Sequence, residues 1–414
     1  MQTQNLPNNI GVLSLKNSSL NLDRSHYNDN LIETQDSEER VKLLLVRDLF
    51  RLNWNIEKSK DKLIVSPPIY YDKEIIKQSM NISRQEILNK NREWIEKHID
   101  IGRKNLTTGF NALKSEIKPI VEVCNSQKQN DLFRLYRYYW SSPASEYVGR
   151  RIRIIVRDGG LPEKPVIGIA AIGSSIIHIP DRDKWIGWDI KTRTKRIIYV
   201  MDAYVIGALP PYNDLLGGKL IAYILASNEL RNIFHKKYAK SKTIISGRKR
   251  ISDLALIMTT SLYGLNSSQY NRLKYKNSLL CKPIGITSGF GTLHISNETF
   301  TAMRELIESK GYKISHLFGM GPNWRMRVIR TACDILNLNS DIILKHSFKR
   351  GIYAIPLTIN WKSFLNGKTR KPIYRNLPLR SLTKYWQERW LAMRKSNNEI
   401  VRRVVQFTPG QFTI

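Results

Sequence analysis

DAYVIGALPPYNDLLGGKLIAYILASNE, residues Asp202–Glu229, is the stretch around which the chain is organised. The β-rich run from Ile197 to Ile206 predicts a strand, and Pro210-Pro211 a bend. Gly217-Gly218 then precede Lys219, and an apolar helical run begins at Leu220. Strand, loop and helix start in that order present backbone N–H groups to a phosphate, with a lysine alongside. A glycine pair also serves tight turns and close packing, so both readings stand.

Working outward, Arg151–Val156 and Pro165–Gly173 read as an antiparallel pair closed by the turn Asp158-Gly159-Gly160. Asp131–Trp140 is a short aromatic helix, and Asp181–Trp188 (DRDKWIGW) a salt-bridged loop clamped by tryptophans. Beyond the opening stretch the helix runs to about Tyr238, Ser252–Tyr263 reads as a buried strand, and Asn266 or Ser267 caps a helix through Arg272. Residues 282–295 read as a strand pair broken at Ser288-Gly289. The expected fold is α+β: a mixed sheet with flanking helices over 126–296, a small, mainly helical module over 37–125, a flexible arm over 1–36 and a basic, mainly helical region over 297–414.

In the N-terminal module, Ser37 opens a helix with an acidic first turn, and KLIVSPPIYY is extended up to its Pro-Pro bend. Ser83 to Glu86 fits a capping box opening a long helix. A winged-helix-like module and a helical lid both remain open. The C-terminal region carries its basic residues in clusters: Arg325, Arg327 and Arg330; Lys368, Arg370 and Lys371; and Arg389, Arg394 and Lys395 among Tyr385, Trp386 and Trp390. Aromatics among arginines suit stacking plus phosphate contact, with the tryptophans packed inward and the basic face outward.

The 414 residues hold 67 Lys+Arg against 35 Asp+Glu, a formal net charge of +32. So large an excess attracts polyanions, and nucleic acid, DNA before RNA, is the expected partner. The apolar runs are too short to span a bilayer, and the N-terminus lacks a signal-peptide pattern, so a cytoplasmic protein is expected. Three scattered cysteines and seven scattered histidines give no zinc spacing, and no metal is expected.

The element order over residues 131–295 resembles the GCN5-related N-acetyltransferase (GNAT) fold. That resemblance implies acyl-coenzyme A as cofactor. Val205, Ile206 and Gly207 would offer backbone to the pantetheine arm, and Gly217, Gly218 and Lys219 would hold the pyrophosphate. Tyr270 falls where the fold often keeps a general-acid tyrosine, with Asp202 or Glu229 as base for the attacking amine. The loop LPPYNDLLGGK departs from the pyrophosphate pattern usual in that fold.

At the level of motifs, DRDKWIGW, DAYVIGALPPYNDLLGGKL, MTTSLYGLNSSQYNRLK, IGITSGFGTLHI, GMGPNWRMRVIR and YWQERW resemble the DruA family of Druantia anti-phage systems. The resemblance implies defence against phage beside other proteins of the system, including a large helicase. Two functions follow as expectations: a nucleic-acid-binding component with an acetyltransferase-like core, or an active acyltransferase acting on a nucleobase or protein amine. A nuclease would need Asp181, Asp183 and Asp202 around Mg²⁺, and their spacing suits no such site.

Overall fold

The computed structural model describes residues 11–14, 36–59, 62–68, 73–140, 149–242, 251–265, 268–292, 294–312, 322–346 and 348–414. The chain forms two compact units that interleave in sequence: residues 1–89, 141–146 and 287–349 make one, and 90–140, 147–286 and 350–414 the other. The expected C-terminal region therefore divides between the two units at residue 350.

In the first unit, the strands Gly11–Ser14, Lys62–Ser66 and Asn55–Ser59 form a three-stranded antiparallel sheet with Lys62–Ser66 central. Part of the expected N-terminal arm thus pairs into a sheet. The helix Ser37–Phe50 is capped by Asp36, whose carboxylate accepts from the Glu38 and Glu39 N–H groups. It packs on the helix Asn297–Ser309, where buried Asp48 accepts from the Ser296 N–H at 2.8 Å and the Thr299 hydroxyl at 2.6 Å. The helix expected to open at Ser83 begins at Lys73, and the next helix, Arg92–Lys104, belongs to the second unit.

The second unit is built on a seven-stranded sheet. In chain order its strands are β1 (Pro119–Val123), β2 (Arg151–Asp158), β3 (Val166–Ser174), β4 (Val200–Ala208), β5 (Leu256–Ser261), β6 (Lys282–Ile286) and β7 (Gly351–Pro356). They lie in the order β6-β7-β5-β4-β3-β2-β1. Every neighbouring pair is antiparallel except β4 and β5.

That parallel pair is short. It holds only from Val200–Leu256 to Asp202–Met258. Past it the Thr259 hydroxyl, not a backbone N–H, reaches the Ala203 carbonyl at 3.0 Å. In β4 the register against β3 shifts between Ala203 and Val205, leaving Tyr204 as the extra residue of a bulge.

Alternation along the strands covers both faces. Ile152, Ile154 and Val156 point into one core, and Ile155 into the other. The first core is filled by the helices α1 (Gly217–Leu225) and α2 (Asn228–Tyr238), which connect β4 to β5, and by α3 (Leu379–Trp386). Leu220 to Leu225 are fully buried, as expected of a helix apolar on all sides. The helix Gln127–Arg137 covers the other face through Leu132, Phe133 and Tyr136.

The architecture is α+β with a mixed sheet, as the sequence indicates. One expectation fails: residues 282–295 form no strand pair among the described residues, because β6 ends at Ile286 and lies against β7. The C-terminal third is mainly helical and also supplies Gly351–Pro356, a fully buried strand between β5 and β6.

Candidate functional site

The start of α1 is shaped by its own turn. Leu216 takes a left-handed conformation, with φ 59°. Gly217 must lack a side chain, since a Cβ there would come within 2.7 Å of the Tyr212 carbonyl oxygen. The Gly217 N–H donates to the Tyr212 carbonyl and the Lys219 N–H to the Leu216 carbonyl. Trp386, from α3, donates its indole N–H to the same Leu216 carbonyl at 3.1 Å.

Lys219 is 6% exposed. Its ammonium donates to the Gln269 carbonyl at 3.0 Å and lies 4.4 Å from the Trp390 ring centre. Arg389 covers the same ring at 5.1 Å. Burial first, then the positive charges of Arg272, Arg389 and Arg394, bring the Lys219 amine down to about 8. Among the described residues no carboxylate pairs with Arg272, Arg389 or Arg394. The structure thus sets Lys219 and Arg389 on one aromatic ring, with the charge of Arg394, another expected nucleic-acid contact, acting on Lys219. Arg272 completes the cluster without having been singled out from the sequence; its only local signal is its place three residues after Gln269.

The three expected catalytic groups have separate partners. Asp202 accepts from the Ser175 hydroxyl at 2.6 Å and the Ile176 N–H at 2.8 Å; burial raises its carboxyl to about 6. Glu229 accepts from the Leu379 N–H at 2.9 Å, at the start of α3. Tyr270 lies in a short 3₁₀ turn, Gln269–Arg272, against the Tyr353 ring, and burial pushes its hydroxyl up to about 12. The cap proposed at Asn266 or Ser267 lies outside the described residues; Ser268 accepts from the Tyr270 N–H. Of the expected backbone contacts, Val205 is buried, Ile206 half-buried, and Gly207 is covered: a Cβ there would sit 2.2 Å from Trp140 Cζ2. Next to Gly217, a Cβ on Gly218 would meet Gln269 Oε1 at 3.3 Å.

The remaining basic residues differ in availability. In the first unit, Arg325 is turned inward to the Ile295 and Ser296 carbonyls and over the Phe300 ring, Arg330 pairs with Asp341 at 2.8 Å, and Arg327 is exposed. In the second, Lys368, Arg370 and Lys371 are exposed, and the Lys395 ammonium donates to the Ser115 carbonyl at 3.1 Å. In DRDKWIGW, Arg182 and Arg193 hold Asp183 at 2.7 and 3.0 Å, Asp181 accepts from the Ile286 N–H, and Trp185 stacks on Trp361 at 4.0 Å. No group of three or more metal-ligating side chains occurs among the described residues.

A seven-stranded mixed sheet covered on both faces, with a buried lysine, arginines and tryptophans gathered at the helix start of its single parallel connection, defines an α+β protein. The chain belongs to the DruA family: the model of "Druantia protein DruA" matches residues 71–367. It is 36% identical over 330 residues to Druantia protein DruA of Escherichia coli (strain UMEA 4076-1), covering 79% of this chain and 81% of that protein. No solved structure matches. No helix of the described residues is long and apolar enough to cross a membrane.

Proposed function

We propose that this chain is a nucleic-acid-binding component of Druantia-type anti-phage defence, built on a GNAT-like core that serves as scaffold. The observation that carries the reading is the cluster of Lys219, Arg272, Arg389 and Arg394, which has no carboxylate among its described partners and is lined by Trp390. The exposed Arg272 and Arg389 and the half-buried Arg394 repel the buried Lys219, and a phosphate backbone relieves that repulsion. The net charge of +32 adds long-range attraction. Exposed Lys368, Arg370 and Lys371 extend the basic surface of the same unit. The defence role and work beside other Druantia proteins rest on family membership, and a large helicase is the partner we expect among them.

Three features support the GNAT-like topology: the strand order, the lone parallel pair that parts after Asp202–Met258, and the bulge at Tyr204. The residues do not fit acyl-coenzyme A. Two of the helix-start N–H groups are already bonded, Lys219 is held by Gln269 and Trp390, and Trp140 covers Gly207. Thr259 bridges the parting strands.

The test is anisotropy titration of the full chain with labelled duplex DNA, single-stranded DNA and RNA. Arg389→Glu with Arg394→Glu is expected to weaken binding at least about tenfold and to flatten its salt dependence. Unchanged affinity would sink the reading. Saturable coenzyme A binding by calorimetry would restore the acyltransferase alternative.

A further inference from the structure

The sheet of the second unit has two edges, and only one is closed. At β6 the Asp181 carboxylate takes the Ile286 N–H at 2.8 Å and crowds Gly285, the register shifts, and Pro283 offers no donor. Such devices keep foreign strands from pairing. At β1 only the first outward residue, Pro119, lacks a donor, and beyond it no side chain takes the edge N–H groups among the described residues. The Gly159 N–H bonds to the Lys118 carbonyl and the Cys124 N–H to the Arg153 carbonyl, so Lys118, Ile120, Glu122 and Cys124 face β2. Val121 and Val123 therefore turn their N–H and C=O groups outward, with no backbone partner among the described residues.

Beside this edge lies a groove of about 1160 Å³, walled by α2, α3 and the turns that follow α3. Ile117, Ile233 and Leu391 give it apolar walls, and Lys236 and Arg380 stand exposed at its sides. Of the other charges there, Glu116 pairs with Lys118 and Glu388 with Lys384, Glu229 accepts from the Leu379 N–H, and the Lys395 ammonium donates to the Ser115 carbonyl. Lys236 and Arg380 have no ion pair among the described residues.

We propose that this groove receives an extended acidic segment of a partner protein, which adds to β1 as a further strand. Its backbone would complete the ladder at Val121 and Val123, apolar side chains would fill the Ile117, Ile233 and Leu391 wall, and carboxylates would meet Lys236 and Arg380. A nucleic-acid strand satisfies the charges but cannot supply the alternating donors and acceptors of a peptide backbone.

Selection of a random peptide display library on the full chain is expected to enrich alternating apolar and acidic sequences. A selected peptide should slow hydrogen exchange at the Val121 and Val123 amides. Val121→Pro removes the outward N–H, along with a side chain that packs on the core, and should abolish that binding; Lys236→Glu with Arg380→Glu should weaken it at least about tenfold. Arg389→Glu with Arg394→Glu should leave it intact, which separates this groove from the nucleic-acid site. Three outcomes overturn the proposal: no acidic enrichment, peptide affinity unchanged in Val121→Pro, or Lys236→Glu with Arg380→Glu weakening DNA binding as much as peptide binding. If Val121→Pro fails to fold, the charge-reversal pair decides.

Discussion

Lys219 and Asp202 are both held away from their ordinary titration, and in both burial is the largest cause. Lys219 binds its proton less tightly folded (about 8) than unfolded (10.5). Stability therefore rises as pH climbs between those values, and below them the folded chain bears the cost of a buried charge. Lys219→Met is expected to raise the unfolding midpoint at neutral pH, remove that alkaline rise, and weaken nucleic-acid binding. Gain of stability with unchanged binding would assign the lysine no part in the site. Asp202 is the opposite case. Its carboxyl is raised from 3.8 to about 6, so the folded chain keeps a proton the unfolded chain has released, and stability falls as pH rises between them. Denaturant unfolding of Asp202→Asn should show a shallower fall over that window, by up to about 3 kcal/mol, against the native chain. Asp48, raised in the same way, contributes equally to both proteins and cancels in the comparison.

At the scale of elements, the connection from β4 to β5 is the one the sequence announces most clearly. A β-branched run, a Pro-Pro bend and a glycine pair are local signals, and they mark β4, its turn and α1 to within a few residues. The helix expected to continue to Tyr238 is in fact two helices, because Ser227 caps a fresh start by accepting from the Leu230 N–H. β1 went unread, since PIVEV is short and its partner lies beyond a helix. β7 is likewise invisible locally: its place between β5 and β6 is decided by strands far away in sequence. The tryptophan spacing was informative in part. Trp386 is core, as the spacing implies, yet the π-helical turn Gln387–Leu391 carries Trp390 beneath Lys219, and no sequence pattern foretells that wide turn. Trp386→Ala should cost about 3–5 kcal/mol in denaturant unfolding, for a large cavity and a lost bond to Leu216. Thr259→Val keeps shape while removing the bridge to Ala203, and about 1 kcal/mol is expected. A loss below a few tenths would mean the bridge does not hold the parting strands.

For the molecule as a whole, the charge excess sets how association responds to salt. If the basic residues engage about 6–10 phosphates, affinity for DNA should fall about 10³–10⁵-fold between 50 and 200 mM salt. A log–log slope near zero would remove electrostatics as the source of binding. The excess was plain from composition; the location of the cluster was not, because Lys219, Arg272, Arg389 and Arg394 are brought together only by folding. One consequence of β7 concerns synthesis. β6 leaves the ribosome with no neighbour to pair with, and the chain then makes residues 287–349, which belong to the other unit, before β7 emerges. The nascent sheet must wait with β5 and β6 unjoined, so pausing or chain cleavage in that interval would release a fragment with β6 unpaired, β5 open along one edge and a strong tendency to aggregate.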